Sequence, residues 1–301
     1  MATDLCIVIL AAGKGTRMKS PRPKVLHPLC GRAMLAWVVE LAASLAPSRI
    51  VLVVGDDGAE LEGIARDAAG SVPVTSVIQA EQLGTGHALQ IAVQALGAAR
   101  GRVLVLYGDM PCLRRQSLEA LLEAQTRAGR GGCALLTALV DEPKGYGRIL
   151  RDERGAFQAI VEERDATPDQ RDIQELNLGV YCFEAHELFA ALPRLQRNNA
   201  QGELYLTDLA GIYVRAGVGV ETLELYDASE GLGVNTLAQL AEARLELQTR
   251  ILEEHMSNGV LIEDPATTYI ARGVKIGAGT HVLPCTYIHS GVVIGKDCEV
   301  G

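Results

Sequence analysis

Residues Leu10–Lys24, LAAGKGTRMKSPRPK, decide how this chain is read. They continue a short apolar run, Leu5–Leu10, with the length and composition of a buried strand. Gly13 and Gly15 follow at once, and Lys14, Arg17, Lys19, Arg22 and Lys24 come within a few residues. No Asp or Glu occurs between Asp4 and Glu40, although the 301 residues carry a formal net charge of −9. An acidic chain that clears its acids from one loop and fills it with cations is shaped to receive an anion. Glycines in such a loop let backbone N–H groups approach the anion and form a nest around it.

Three loop patterns compete for this stretch. A dinucleotide-binding G-x-G-x-x-G is met at Gly13 and Gly15, but Met18 stands where the third glycine belongs. A Walker A loop, G-x-x-x-x-G-K-[ST], is not matched. The run Leu10-Ala11-Ala12-Gly13-Lys14-Gly15-Thr16-Arg17-Met18, followed by Pro23-Lys24, resembles the signature loop of sugar nucleotidyltransferases. The bland alternative is a glycine turn with a solvated basic face.

Length and composition set the frame. The chain exceeds a typical single domain, so two domains are expected. Nearly half of the residues are apolar, enough for a sizeable core. The seven cysteines are scattered, with no C-x-x-C pair or zinc spacing, as expected of reduced thiols in a cytoplasmic protein. The N-terminal apolar run is too short to span a membrane and lacks a basic flank. Net acidity argues against a nucleic-acid partner. The expectation is therefore no membrane and no nucleic acid.

Up to about Val234, apolar runs alternate with helix-like stretches. Ile50–Gly55, Val74–Ile78 and Val103–Tyr107 read as strands, with helices over 33–46, 60–69, 86–96 and 116–128. That alternation predicts an α/β fold, a Rossmann-like, mostly parallel sheet. Ligands of such sheets bind beyond the carboxyl ends of the strands. The unusual residues stand there. Gln79 is followed by Gly84-Thr85-Gly86, a turn with an amide nearby that suits a pyrimidine edge, glycine leaving room for a flat ring. Read alone, the same turn is a tight bend with a Thr cap. Gly108-Asp109-Met110-Pro111 places a carboxylate at a strand end, either for a metal or as the cap of a helix near Leu113. Beyond Ala134, short strands flank Gly145–Ile149 and lead to Glu162 and Asn177, which suit either a plain surface sheet or a pocket for sugar hydroxyls. A polar loop, Asn198–Asp208, enters a helix at Thr207, and Gly233-Val234-Asn235 closes the span.

Two further segments follow. Residues 236–255 have helical apolar spacing and end at Ser257-Asn258-Gly259, as expected of a connector helix. Then Ile270, Ile276, Val282, Ile288, Ile294 and Val300 recur every sixth residue. A hexapeptide period predicts a parallel β-helix with three hexapeptides per coil. Fewer than two coils fit before Gly301, so a fragment of a longer protein is expected. The domains are thus read as 1–235, 236–258 and 259–301.

This combination resembles the bacterial bifunctional N-acetylglucosamine-1-phosphate uridyltransferase / glucosamine-1-phosphate acetyltransferase family over essentially the whole chain. The likeness rests on the Leu10–Met18 loop, Pro23–His27, Gln79–Ala88, Tyr107-Gly108-Asp109, Gly145–Ile149, Glu162, Asn177, Asn198–Asp208 and Gly233-Val234-Asn235, with the hexapeptide tail. The resemblance implies uridylyl transfer from UTP to N-acetylglucosamine 1-phosphate, giving UDP-N-acetylglucosamine and pyrophosphate. It implies that Leu10, Ala11, Ala12, Gly13, Lys24, Gln79, Gly84 and Thr85 bind the nucleotide. Tyr107, Gly108, Gly147, Glu162 and Asn177 would contact the sugar, Asp109 and Asn235 would hold Mg²⁺, and Arg17 and Lys24 would stabilise phosphate charge. Arg164 stands where a Lys is common. His27 and His87 are read as structural. It also implies a left-handed β-helix, a homotrimer for the full-length protein, and no acetyltransferase activity in a chain that lacks the later coils.

Overall fold

The computed structural model describes residues 4–55, 58–97 and 99–301; the first three residues of the expected 1–235 span lie outside them. In chain order the elements are β1 (Leu5–Leu10), β2 (Pro28–Leu29), β3 (Arg32–Ala33), α1 (Met34–Ser44), β4 (Arg49–Val54), α2 (Gly58–Ala69), β5 (Val74–Ile78), α3 (Thr85–Leu96), β6 (Arg102–Tyr107) and α4 (Arg115–Arg127). They continue with β7 (Cys133–Leu139), β8 (Gly147–Arg151), β9 (Phe157–Val161), α5 (Pro168–Arg171), β10 (Glu175–Glu184), α6 (Ala185–Ala191), α7 (Asp208–Arg215), β11 (Val220–Glu224) and α8 (Leu237–Ser257). Seven two-residue strands follow: β12 (Leu261–Ile262), β13 (Tyr269–Ile270), β14 (Lys275–Ile276), β15 (His281–Val282), β16 (Tyr287–Ile288), β17 (Val293–Ile294) and β18 (Glu299–Val300). The chain forms two compact units, Met1–Gly15 with Leu35–Gly233, and Thr16–Met34 with Val234–Gly301.

The first unit is built on a nine-stranded sheet. Its main path runs β11-β7-β10-β6-β1-β4-β5, with β8 on β10 and β9 on β8. Strands β1, β4, β5 and β6 are mutually parallel. β10 runs antiparallel to both β6 and β7, and β11 parallel to β7. Every residue of β1 is buried, because parallel strands joined by helices are covered on both faces. Ile7, Val8 and Ile9 are fully buried, each removing apolar surface worth roughly 1.5–3 kcal/mol. The core on one face gathers Val8, Val51, Leu89, Val105, Phe183 and Leu209. β10 breaks register between Asn177 and Tyr181, a bulge that holds Gly179 at φ +80°.

The second unit joins an early segment to the end of the chain. Residues 16–34, which the sequence reading groups with the span 1–235, fold with 234–301. The reason is packing around one hairpin turn. Gly31, at φ +84°, has no room for a side chain against Ser290 and Ala271. The Cys30 carbonyl accepts from the Arg272 N–H at 2.8 Å. Helix α8 opens on a capping box, in which the Thr236 hydroxyl accepts from the Gln239 N–H and the Gln239 side chain answers the Thr236 N–H. Its buried face, Leu247, Ile251 and Leu252, lies beside a buried Gln248 whose side chain donates to the Ile270 carbonyl at 3.2 Å.

The strands after α8 pair in parallel: β12-β15-β18, β13-β16 and β14-β17. Tyr269 pairs with Tyr287, Lys275 with Val293 and His281 with Glu299, each eighteen residues on. This three-sided coil is the hexapeptide period made visible, with Ile270 and Val282 fully buried inside it. The coil also includes β12, one strand ahead of the first periodic residue. Leu261 pairs with His281, twenty residues on, so two extra residues put β12 out of phase. They sit in a turn closed by Asp264, whose carboxylate accepts from the Ala266 N–H and the Thr267 hydroxyl.

All seven cysteines are free thiols, five of them buried. Among the described residues no helix is long and apolar enough to cross a membrane.

Candidate active site

In the first unit, parallel β1, β5 and β6 bring their carboxyl ends to one edge, and three loops leave there. After β1, the Ala11 N–H donates to the Val53 carbonyl at 2.8 Å and the Leu10 carbonyl accepts from the Gly108 N–H at 2.9 Å. Leu10 and Ala11 are thus held by both neighbouring strands. The Ala12 carbonyl accepts from the Gln82 side chain at 2.6 Å. Gly13 follows with open space around it: a Cβ there would meet nothing within 4 Å. Gly15 is different, at φ +60°, where the turn itself favours glycine.

After β5, the Gln79 side chain is buried and held by its nitrogen. Its Nε2 donates to the Gly84 carbonyl at 3.0 Å and lies 3.2 Å from His87 Nδ1. A carbonyl oxygen only accepts, so the Gly84 contact fixes which end of the amide is nitrogen. Gln79 Oε1 is then left as an acceptor. His87, read from the sequence as structural, shares in setting that orientation. Gly84 is glycine for a reason invisible locally. It sits at φ +107°, and a Cβ would lie 2.5 Å from the Leu204 carbonyl oxygen and 2.9 Å from Glu203. The space beside it is filled by the protein's own backbone, which corrects the expectation that the missing side chain makes room for a ring.

That backbone belongs to the 198–208 loop, which runs alongside the loop after β5. The Leu204 N–H donates to the Leu83 carbonyl and the Gly86 N–H to the Leu204 carbonyl, both at 2.8 Å. The Leu206 N–H donates to the Thr85 hydroxyl at 3.1 Å. After β6 comes Asp109, partly buried at the strand end. The helix that follows has Arg114 as its N-cap, so Asp109 is not its cap.

Gly147 and Asn177 sit opposite one another across the β8–β10 pair. A Cβ on Gly147 would lie 3.6 Å from the Glu162 carboxyl carbon, so Gly147, Glu162 and Asn177 form one cluster. Asn177 is held by its Oδ1, which accepts from the Gly179 N–H at 3.1 Å inside the bulge. The Tyr107 ring packs where a Gly179 side chain would be, 2.6 Å from the Cβ position. Glu162 accepts from the Thr207 hydroxyl at 3.0 Å. Burial pushes its carboxyl above the usual range, the neighbouring Asp165 and Asp208 adding to the rise and Thr207 and Arg148 opposing it. Thr207 is a site residue that sequence reasoning passes over as a helix start. It does hold the N-cap position of α7, but its side chain caps nothing and turns to Glu162.

In the second unit, Arg17 and Lys24 meet on Asn235. Its Oδ1 accepts from Arg17 Nη2 at 2.9 Å and from Lys24 Nζ at 3.0 Å. The Asn235 N–H donates to Gln239 Oε1 at 2.9 Å, which ties the residue to the start of α8. A neutral amide gathers the two cations without cancelling their charge. Asp109 and Asn235 carry oxygens of the hard kind that Mg²⁺ takes, although the Asn235 Oδ1 here is engaged by Arg17 and Lys24 and would have to exchange them for a metal. Among the described residues, no group of three or more His, Cys, Asp or Glu side chains is arranged to hold a metal ion.

Comparison with known proteins adds the last observations. The model of the MobA-like NTP transferase domain matches residues 7–202. The chain is similar to proteins named "Bifunctional protein GlmU". It is 45% identical over 298 residues to that of Geobacter sulfurreducens, covering 99% of this chain and 62% of the relative. It is 47% identical over 283 residues to that of Pelotomaculum thermopropionicum, covering 94% and 61%. It is 44% identical over 294 residues to that of Brevibacillus brevis, covering 98% and 62%. The chain therefore spans a little over three fifths of the length of these relatives.

Proposed function

The chain belongs to the MobA-like NTP transferase domain family, and from that membership we propose that it transfers a uridylyl group from UTP to N-acetylglucosamine 1-phosphate. The observation that carries the reading is the pairing of two loops. The loop that bears Gln79 is hydrogen-bonded along its length to the loop that bears Thr207, the partner of Glu162. A base recognised by the first and a sugar recognised by the second would lie side by side. The likeness to the GlmU relatives points to the same substrates.

The chemistry asks little of any one side chain. A phosphate oxygen of the sugar 1-phosphate attacks the α-phosphorus of UTP in line. The bond from that phosphorus to the β-phosphate bridging oxygen breaks, and pyrophosphate leaves. Positioning and charge neutralisation carry such a step, without a protein nucleophile. The Ala12–Gly13 backbone presents N–H groups to the triphosphate, Leu10 and Ala11 anchor that turn to the sheet, and open Gly13 allows close approach. Gln79 Oε1 accepts from the ring N–H that uracil has and cytosine lacks. Gly147, Glu162 and Asn177 take the sugar's hydroxyls and acetamido group, with Tyr107 and Gly108 beside them. Arg17 and Lys24 neutralise phosphate charge. At about 4 Å one charge pair is worth roughly 4 kcal/mol at an effective dielectric of 20. Mg²⁺, when bound, would neutralise phosphate oxygens; on donor chemistry alone, Asp109 and Asn235 are proposed as its ligands.

The same reading takes the three-sided coil as a left-handed parallel β-helix, the whole protein as a homotrimer, and its place as the cytoplasm. The test of function is pyrophosphate release from UTP plus N-acetylglucosamine 1-phosphate, with and without Mg²⁺. Release that needs all three components is expected. Equal release with CTP, or with glucose 1-phosphate, would overturn the base or the sugar assignment.

A further inference from the structure

We propose that Thr85 is a positioning residue for the sugar site rather than a contact of the base: its hydroxyl holds the Leu204–Thr207 backbone in place through the Leu206 N–H. This deepens the uridyltransferase reading and rests on it. The motif places Thr85 beside Gly84 in the loop that would hold uracil, which makes a nucleotide role the obvious one. The geometry gives its side chain other work. Thr85 Oγ1 accepts the Leu206 N–H at 3.1 Å. On its other side lies the phenol of Tyr107, close enough for the hydroxyl to favour the ionised phenol. The Leu206 bond takes one of the two lone pairs of the hydroxyl.

Both partners lead to the sugar cluster. Leu206 precedes Thr207, whose hydroxyl donates to Glu162 at 3.0 Å. Tyr107 packs against the Gly179 bulge, where the Gly179 N–H is held by Asn177 Oδ1 at 3.1 Å. Thr85 is therefore joined to each of the two polar side chains proposed to read the sugar through two intervening residues, Leu206 and Thr207 toward Glu162, Tyr107 and Gly179 toward Asn177. The backbone bonds around it, Leu204 N–H to the Leu83 carbonyl and Gly86 N–H to the Leu204 carbonyl, bring the two loops together at 2.8 Å. They do not orient Thr207 or Tyr107. Gln79, by contrast, is oriented by Gly84 and His87 with no help from the Thr85 side chain.

The experiment is steady-state pyrophosphate release by the intact chain and by Thr85→Val, Thr85→Ser and Tyr107→Phe, each substrate varied in turn. Calorimetric titration of UTP and of N-acetylglucosamine 1-phosphate into each protein gives a readout besides activity. Valine keeps the shape and removes the hydroxyl. The expected result is a KM for the sugar phosphate raised about tenfold, the weight of one lost hydrogen bond, with the KM for UTP within about twofold. Serine, which keeps the hydroxyl, restores the sugar KM. Tyr107→Phe, which leaves the Leu206 bond intact, shifts the sugar side by a smaller factor.

A rise in the UTP KM equal to that for the sugar, or a serine variant as impaired as valine, overturns the proposal. Should Thr85→Val fail to fold by circular dichroism, Thr85→Ser and Tyr107→Phe decide: a shift on the UTP side in either one counts against it. An intact chain that releases no pyrophosphate from this substrate pair defeats the uridyltransferase reading itself, and this inference with it. An active chain with the wrong substrate shifted defeats the inference alone.

Discussion

Two glycines, Gly13 in the loop after β1 and Gly277 in the coil, carry the same side chain for opposite reasons. At Gly277 a Cβ would lie 2.6 Å from the backbone of Gly295, one turn on. The protein itself forbids anything larger. At Gly13 nothing lies within 4 Å and the backbone is not left-handed, so the fold would accept a side chain. A residue the fold does not require is open to another demand, and in a loop flanked by cations the demand we propose is an anionic ligand. The sheet unit spends its irregular residues at strand ends; the coil repeats one inward-facing residue and keeps its constraints internal.

The sharpest break between the two regions is expected at Asp109. Asp109→Ala should lower kcat for pyrophosphate release by about a hundred- to a thousand-fold, the scale seen when one charge-stabilising group is removed. A variant retaining half of the activity at saturating Mg²⁺ would end the metal assignment. Gly277→Ala should destabilise the coil by about 1–3 kcal/mol through overpacking. Hydrogen exchange would show this as lost protection in β14 and β17, and unchanged protection there would erase the contrast. Gly13→Ala should leave the melting temperature unchanged or slightly raised, since alanine restricts the unfolded chain. Its KM for UTP should rise about tenfold, the weight of one charge-assisted backbone contact. A lower melting temperature with an unaltered KM would reverse the comparison.

The smallest effect concerns pH. Burial raises the Glu162 pKa in the folded protein. The folded state then holds this proton more firmly than the unfolded one, so stability falls as pH rises from the unfolded value of a Glu through the raised folded value. Glu162→Gln removes the buried charge. Its melting temperature should match the wild type at about pH 4 and exceed it at neutral pH, while sugar binding weakens. Melting curves that stay parallel at both pH values would show that the carboxylate is not strained by its surroundings.

Much of this was legible in the sequence because it is local. β1 is found at Leu5–Leu10 as read, β5 at Val74–Ile78 as read, and the six-residue period marks every strand from β13 onward. The loop proposed to hold the nucleotide stands out through charge and glycine spacing. What stayed hidden depends on partners far along the chain. Gly84 answers to Leu204, and Thr207 to Glu162. The hairpin tip at Gly31 answers to Ser290. β12 escaped the period because two extra residues shift its phase. The residues alone left Gly145–Ile149, Glu162 and Asn177 as either a surface sheet or a sugar pocket, and family resemblance chose between them; no spacing along the chain announces that β8 and β10 set Gly147 and Asn177 face to face.

The eighteen-residue pairing of the coil has a further meaning. It gives this part of the molecule a ruler. Adding or deleting one whole turn returns every inward residue to the inside and every pairing to its neighbour, whereas a change of one residue within a strand turns a face outward; only extra residues confined to a turn, like the two before β13, are absorbed. Length here is quantised. Such a rod can be lengthened over evolutionary time in discrete steps, by duplication rather than redesign, while the sheet unit admits no such arithmetic.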